Sequence, residues 1–524
     1  MTIMRESIKF LLNGEERQVT DCPPTMTVLN WLRAHGLVGS KEGCAEGDCG
    51  ACTVVIAELQ ANAKDVVAFK AINGCIRLMP TLDGKAIYTI EGLATENAGG
   101  DGKKLHPVQQ AMIEHHGSQC GFCTPGFVMS LWGEYQNRNA QPRDKLDAQL
   151  TTKTKPSQAE LQICLNGNLC RCTGYRAIIE AGQAAYDLPP HVINTQQLAE
   201  KLAGLHDQAI LYLPHPTSNF MAPKNLADLL HLRQSHPAAT ILAGGTDIGL
   251  WVTKQHKKLP EIIYLGEVAE LQNITHSKDK IMIGAAVSLS RGFAEIEKHY
   301  PDMRELALRF ASTPICQSGT LVGNIANGSP IGDSMPFLIA LKAEVVLIGN
   351  DRQRVMPLDQ YYLDYRKTAL AADEIVAYLC LNVPEQNYQQ HLRFATYKVA
   401  RRYDSDISAV CGGFAVWLGA DGVINDARLT YGGVAAIPKR ASRAEQALIG
   451  KKFTESAVKA AMAELSAEFA PLSDLRADKS YRQAMMQNLL WRFYLEKNPN
   501  RPLPRSETNV YAAFSDEYQS EAAL

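Results

Sequence analysis

The sequence predicts a multidomain α+β protein, and three observations carry that prediction. The first ninety residues alternate like strands around a tight Cys/Gly loop. Residues 105–188 turn to helical periodicity around a second set of cysteines, and the remainder mixes strand-like runs with glycine turns and helices. A length of 524 residues fits about three or four domains. With 46% hydrophobic and 21% charged residues, the composition is that of packed globular domains. A formal net charge of −2 gives no reason to expect nucleic acid or an anionic membrane as partner. The N-terminal residues lack the apolar run of a signal peptide, and the apolar stretch Met335–Ile348 is interrupted by Lys342 and Glu344. Of thirteen cysteines, eight fall into two clusters, which points to metal ligation in a reducing compartment instead of a disulfide framework. A cytoplasmic location is expected.

Taking the chain in order, Ile8–Leu12 and Arg17–Val19 flank Asn13-Gly14, a signal for a type I′ hairpin turn. Val28, Leu29 and Leu32 share a helical face that Gly36 is placed to end. Next comes Gly43–Cys52, reading Gly-Cys-Ala-Glu-Gly-Asp-Cys-Gly-Ala-Cys, in which Cys44, Cys49 and Cys52 have the spacing C-x4-C-x2-C; Cys75 supplies a fourth thiol. That is the plant-type ferredoxin spacing of a [2Fe–2S] cluster, whereas zinc sites usually use two separated C-x2-C pairs. Strands are expected over Thr53–Ile56 and around 66–72 and 86–90, giving a small β-grasp domain with one cluster.

The helical region has four helices: one opened by His106-Pro107 and closed by Gly117, and one opened by Thr124-Pro125 with Phe127, Leu131 and Tyr135 in register. The third is opened by the capping box Ser157-x-x-Glu160 and ended by Gly167, and the fourth is opened by Thr173-Gly174. The two inter-helix loops repeat a pattern: a helix-ending glycine, two residues, two cysteines, then a Thr N-cap. Such a repeat can bring Cys120, Cys123, Cys170 and Cys172 together beside helix N-termini, where an anionic centre is favoured. On spacing alone this second set suits zinc as well as iron and sulfur. The polar segment 138–156 between the halves is expected to be a solvated connector.

Further on, a helix is expected near 225–234, and Thr240–Asp247 reads as a buried strand running into a glycine turn. Gly244 and Gly245 would let backbone approach a diphosphate and Thr246 would add a hydroxyl; taken alone, the segment reads better as a plain turn. Neither a G-x-G-x-x-G after a strand nor a P-loop is present, which argues against a Rossmann site. A second Gly/Thr loop, Ser318–Asn324, precedes Ser329–Asp333.

Together, the Gly43–Cys52 motif, Gln-Cys-Gly-Phe-Cys-Thr-Pro-Gly and Gly-Asn-Leu-Cys-Arg-Cys-Thr-Gly-Tyr-Arg resemble the iron–sulfur part of molybdenum hydroxylases, specifically xanthine dehydrogenases, and the resemblance runs through about 500 residues. It implies that both cysteine quartets hold [2Fe–2S] clusters, and that Gln119 matches a glutamine lying against the molybdenum cofactor. It also implies a non-Rossmann α+β FAD-binding domain followed by a C-terminal α+β flavoprotein domain. By that resemblance the flavin contacts are Ile241, Leu242, Ala243, Gly244, Gly245, Thr246, Asp247 and Ile248 in the first loop. Those of the second loop are Thr320, Leu321, Val322, Gly323 and Asn324, where Val322 departs from the family's usual glycine; Phe310, Asp333, Val376 and Lys398 match further contacts. Read as residues alone, Lys398 is equally a surface lysine and Val376 equally core.

The expected domains are 1–92 (ferredoxin-like), 93–190 (four-helix [2Fe–2S]), 191–215 (linker), 216–393 (FAD-binding), 394–500 (flavoprotein C-terminal) and 501–524 (tail). The resemblance implies an electron-transfer subunit, with electrons arriving from a molybdopterin-binding large subunit and leaving through the two clusters and FAD to NAD. No catalytic residue of the purine chemistry is expected in this chain. A heterotetramer of two small and two large subunits, oxidising hypoxanthine and xanthine, follows from the same resemblance. Fusion of iron–sulfur and flavin parts on one chain favours the purine enzymes over relatives that keep them on separate chains. The alternatives are the same module serving another N-heterocycle or aldehyde, or a non-catalytic redox-sensing or cofactor-delivery protein.

Overall fold

The computed structural model of the chain describes residues 4–60, 63–96, 103–139, 155–385 and 388–508. They fall into two compact units, one comprising Met1–Asn273, Ala286–Ser290 and Ala311–Thr320, the other Ile274–Ala285, Arg291–Phe310 and Leu321–Leu524.

The first unit is organised around a five-stranded mixed sheet, in the order Glu15–Val19, Ile8–Leu12, Ala86–Tyr88, Thr53–Gln60, Ala63–Asn73. Its hairpin turns at Asn13 (φ 52°) and Gly14 (φ 89°), both in the left-handed region that a type I′ turn requires. The helix Val28–Ala34 is capped by the Thr27 hydroxyl accepting from the Asn30 N–H, and Gly36 follows its end at φ 82°. Thr53–Gln60 is buried on both faces, which explains its unbroken apolar run. Val54 and Ile56 join Phe10, Trp31 and Ile87 on one face, together with Phe220 and Ile262 of a second sheet. Val55 and Ala57 on the other face join Phe127, Leu131, Trp132, Leu161 and Ile178 from the helical region.

That helical region contains Pro107–Glu114, Thr124–Asn139, Gln158–Leu165 and Arg176–Ala184. The Ser157/Glu160 capping box forms as expected. Three local expectations are corrected. The left-handed residue that ends the first helix is His116 (φ 54°); Gly117 follows it, where a Cβ would lie 2.7 Å from Met112 Sδ and would have to displace that side chain. Thr173 does not cap the fourth helix, which starts two residues after the Thr-Gly pair, behind Tyr175 at φ 71°. Arg138 is not part of a solvated connector but is buried and paired with Glu134 (2.5 Å) and Glu160 (2.6 Å); residues 140–154 lie outside the described residues.

Residues 191–215, expected as a linker, are structured. The helix Thr195–Leu205 buries Leu198, Leu202 and Leu205 in the core shared with the four helices. Ile210–Leu213 enters the unit's second sheet, in the order Met4–Arg5, Ile210–Leu213, Asn219–Ala222, Glu261–Tyr264, Thr240–Leu242. Where these layers meet, Lys85 and Glu267 form a buried ion pair, with Lys224 3.3 Å from Glu267 and Arg5 paired to Asp83 at 2.7 Å. Burial alone would raise the Glu267 carboxyl, but Lys85 and Lys224 hold it well below the usual carboxylate range.

The second unit holds a five-stranded sheet, Ile274–His276, Lys280–Gly284, Ile375–Asn382, Glu344–Ile348, Gln353–Pro357, and a four-stranded one, Leu392–Val399, Val410–Leu418, Ile424–Gly432, Lys439–Arg440. Helices Ser442–Leu448, Glu455–Glu468 and Lys479–Lys497 cover the latter. The segment after Pro499 is not wholly a free tail: Leu503 N–H donates to Leu495 O (2.8 Å) and Arg505 pairs with Glu305 (2.8 Å). Residues 509–524 lie outside the described residues. Among the described residues no helix is long and apolar enough to cross a membrane.

His106 gives this fold a pH response. Its Nδ1 accepts from the Val108 N–H (3.2 Å) and its Nε2–H donates to His191 O (2.9 Å), so the buried ring is neutral and burial pushes it down to about 4. The unfolded chain takes up the proton near 6.5, so this contribution is complete above that pH and is lost as pH falls toward 4, by about 3 kcal/mol. His106→Asn keeps an N-cap without the titration. The difference in unfolding free energy between wild type and this variant, measured at pH 7.5 and 5, is expected to shrink or reverse at pH 5.

Candidate redox centres

The ten-residue loop from Gly43 to Cys52 is shaped by backbone that turns back on itself: Ala45, Gly47 and Gly50 all have positive φ (55°, 80° and 69°). Cys44 Sγ accepts from the N–H groups of Cys49 (3.3 Å) and Glu46 (3.5 Å). The thiols of Cys49 and Cys75 also stand against Cys44, and these contacts, with the N–H donors, pull its pKa far below an ordinary thiol's. Cys75 moves the opposite way, because Cys44 and Cys52 beside it disfavour a further negative charge. Four sulfurs crowded like this can all ionise only around a cationic centre, which is what a thiolate-ligated iron or zinc supplies.

The second quartet forms from the two helical loops. Cys123 meets Cys170, and Cys120 meets Cys172. Cys170 Sγ accepts from the Thr173 hydroxyl (3.2 Å) and from the N–H groups of Thr173 and Cys172 (both 3.4 Å). Thr173 therefore serves this sulfur instead of a helix end. Burial pushes the Cys123 thiol up to about 12. All eight cysteines are free thiols, and the donor set of each quartet fits a cluster.

The two quartets are joined through backbone. The Leu169 N–H donates to Cys49 O (2.9 Å), and Asn168 Nδ2 donates to Gly50 O and to Thr53 Oγ1 (both 3.2 Å). A Cβ on Gly50 would lie 2.2 Å from Gly167 O, and one on Gly126 would lie 2.1 Å from Gly50 O. Asn168 was visible only as a member of a longer motif; its role as the buried link between loops, with Ser130 donating to its Oδ1 (2.6 Å), is not legible from spacing.

On its other side the first loop meets the glycine loops. Thr253 of the helix Ile248–Thr253 donates through its hydroxyl to Ala45 O (2.8 Å), and a Cβ on Gly249 would lie 2.5 Å from Ile76 O. Leu250 and Ile315 pack on Cys52, Cys75 and Ile76. Ile241 and Leu242 end the strand Thr240–Leu242, and Gly245 turns at φ 80°. Ala243, Gly244, Thr246, Asp247 and Ile248 complete the connection to that helix. A Cβ on Gly244 would meet Ser318 O at 2.3 Å and Gly319 Cα at 2.4 Å, so the first glycine loop lies backbone to backbone on the approach to the second. Thr320 pairs with Ser288 in an isolated bridge. This main-chain cradle, closed to a Cβ at Gly244, is of the kind that can accept a nucleotide diphosphate.

The remaining expected flavin positions lie in the second unit. Leu321, Val322, Gly323 and Asn324 are in the helix Leu321–Asn327, and Val322 is buried, its side chain accommodated as core. Asn324 accepts from Ser334 (2.5 Å). Lys398 is not a surface lysine: its side chain is 2% exposed, and it bonds Asp333 (2.5 Å) and Asp406 O (2.7 Å) while Ser408 donates to the other Asp333 oxygen (2.6 Å). Phe310 packs edge-on to Phe293, and Val376 is buried in Ile375–Asn382.

Comparison with known proteins matches four stretches of the chain to domain families. Residues 10–76 match the 2Fe-2S iron-sulfur cluster binding domain and 89–183 the [2Fe-2S] binding domain. Residues 216–385 match the FAD binding domain in molybdopterin dehydrogenase, and 395–497 the CO dehydrogenase flavoprotein C-terminal domain. Xanthine dehydrogenase of Emericella nidulans is 29% identical over 93% of this chain and 38% of its own length. Xanthine dehydrogenase 2 of Arabidopsis thaliana is 31% identical over 86% of this chain and 37% of its own. The chain thus spans less than two-fifths of the length of these relatives. Among solved structures, a carbon monoxide dehydrogenase from Hydrogenophaga pseudoflava aligns at TM-score 0.49 and 26% identity, over 53% of this chain and 96% of that one.

Two variants separate the centres. Cys170→Ser is expected to remove one of two iron–sulfur signals in electron paramagnetic resonance, and about half of roughly four irons, with flavin retained. Gly244→Ala, whose methyl would strike backbone, is expected to lose most of the flavin and keep the iron.

Proposed function

Because the matched domains make this chain an iron–sulfur/FAD module of the molybdenum hydroxylase type, we propose that it is the electron-transfer component of a xanthine dehydrogenase, working with a molybdopterin-binding partner. In this reading the eight cysteines ligate two [2Fe–2S] clusters, the two glycine loops seat FAD, and NAD is the final acceptor. Iron–sulfur clusters supply one-electron carriers and flavin supplies exchange between single electrons and hydride.

The observation that carries the reading is the unbroken contact of the two cysteine quartets and the first glycine loop within one compact unit. The second cysteine loop bonds the first through Leu169 N–H and Cys49 O, and the first bonds the helix after the glycine loop through Ala45 O and Thr253. The chain's own work is therefore to fix positions and to donate N–H and hydroxyl groups to sulfur, which tune a cluster's potential. Gln119, adjoining Cys120, is proposed to face the molybdenum centre of the partner. That the purine enzymes match nearly the whole chain in one run favours a purine substrate. A cytoplasmic heterotetramer completes the proposal.

The test uses the full chain with iron and FAD intact. Anaerobic NADH is expected to bleach the flavin absorbance. With its co-purified molybdenum-bearing partner, the complex should reduce NAD with hypoxanthine or xanthine. A flavin that NADH leaves oxidised would remove the dehydrogenase assignment, and turnover of nicotinate or an aldehyde in preference to purines would replace the substrate. Xanthine oxidation by this chain alone would overturn the need for a partner.

A further inference from the structure

His276, Glu295 and His299 converge in the second unit, whereas both cysteine quartets belong to the first. His276 ends the strand Ile274–His276, an edge strand of its sheet. Glu295 and His299 lie one turn apart in the helix Leu289–His299, so both side chains share a face. His276 Nε2 is 2.8 Å and His299 Nε2 3.6 Å from the same atom, Glu295 Oε1, and the three ligand atoms lie within 4.8 Å of one another. Lys298 Nζ sits 3.0 Å from the other oxygen, Oε2.

Hydrogen bonding explains only part of this arrangement. His276 can donate to Oε1, but 3.6 Å is too long for a second bond from His299. Two imidazole nitrogens are therefore held toward one carboxylate oxygen, and only one is engaged. Around a tetrahedral ion with bonds of about 2.0–2.1 Å, neighbouring donor atoms stand about 3.3 Å apart. The two separations to Glu295 Oε1 bracket that value, and the two imidazole nitrogens lie within 4.8 Å of each other.

We propose that His276, Glu295 and His299 form a binding site for a divalent late transition ion, with zinc as the first candidate. Two imidazoles and one carboxylate are donors such ions accept, with the fourth position left to water, whereas calcium and magnesium require more oxygen ligands. The ion would replace the proton shared by His276 and Glu295 and would pin the end of the helix to the edge strand. Glu295 is suited to this: its side chain is only 11% exposed and one of its oxygens already faces both imidazoles.

The experiment is calorimetric titration of zinc chloride into the full chain with iron and flavin loaded. Iron content is measured before and after, so that zinc entering the cysteine quartets is detected. One equivalent of zinc is expected with iron unchanged. His299→Gln and His276→Gln should each weaken it more than about tenfold, since even outer-shell partners cost that much. Lys298→Met, which frees Oε2, should tighten it. Each variant's flavin and cluster absorbance reports that the fold is kept. Equal zinc binding by wild type and the double histidine variant, or none by wild type, would overturn the site.

Discussion

The close approach of main chain at Gly50 is the constraint on which the redox half of the molecule depends. Gly50 stands where a side chain would occupy Gly167 O, and its own carbonyl fills the space a Cβ on Gly126 would need. Three glycines from three segments thus let two cysteine loops touch through backbone alone. The Leu169–Cys49 hydrogen bond and the Asn168 side chain then fix their registration. Because these bonds end on the chain that carries the thiols, the relative position of the two quartets is set by covalent geometry and a few hydrogen bonds, not by flexible side chains.

That junction holds because the sheet behind it is buried on both faces. A ferredoxin-like sheet with one solvent face would show alternation, whereas Thr53–Gln60 carries Val54, Val55, Ile56 and Ala57 in succession and gives opposite faces to two different cores. The ionic cluster of Arg5, Asp83, Lys85, Lys224 and Glu267 lies between the same layers. Breaking a buried pair by removing one partner costs roughly 3–5 kcal/mol, so this cluster disfavours separation or misdocking of the layers more than it adds net stability.

Much of this was legible from residues, and the boundary of legibility has a physical cause. Short-range signals succeeded: the Asn13-Gly14 turn and the Ser157/Glu160 capping box depend on neighbours within a few positions. Readings that depend on what packs from elsewhere did not. Residues 191–215 looked like a linker because Thr195–Leu205 is polar on its outer face; its buried leucines gain their meaning from a core built by distant segments. Lys398 and Arg138 looked like surface cations because their partners, Asp333 and Glu160, are remote in sequence. The His276 site was missed for the same reason: Glu295 and His299 are one helical turn apart, but the third ligand comes from a strand.

The glycine loop sharpens what a motif can mean. Ala243-Gly244-Gly245-Thr246 invites the reading that both glycines serve a phosphate, yet they answer different demands. Gly244 is excluded from having a side chain by Ser318 and Gly319, so its role is to let one loop lie on another. Gly245 has ordinary space around it and is required by its φ of 80°, which turns the backbone between strand and helix. Thr246 in turn limits what Gly319 can carry, its Oγ1 lying 3.2 Å from where that Cβ would be. The two loops therefore form one object before any ligand arrives. A loop already held in place in this way can bind a ligand without the entropic cost of being ordered. The same packing sets the helix Ile248–Thr253 on Ile76 and Ala45, so the glycine loop proposed to seat a nucleotide runs directly into the surface against which the first cysteine loop is fixed.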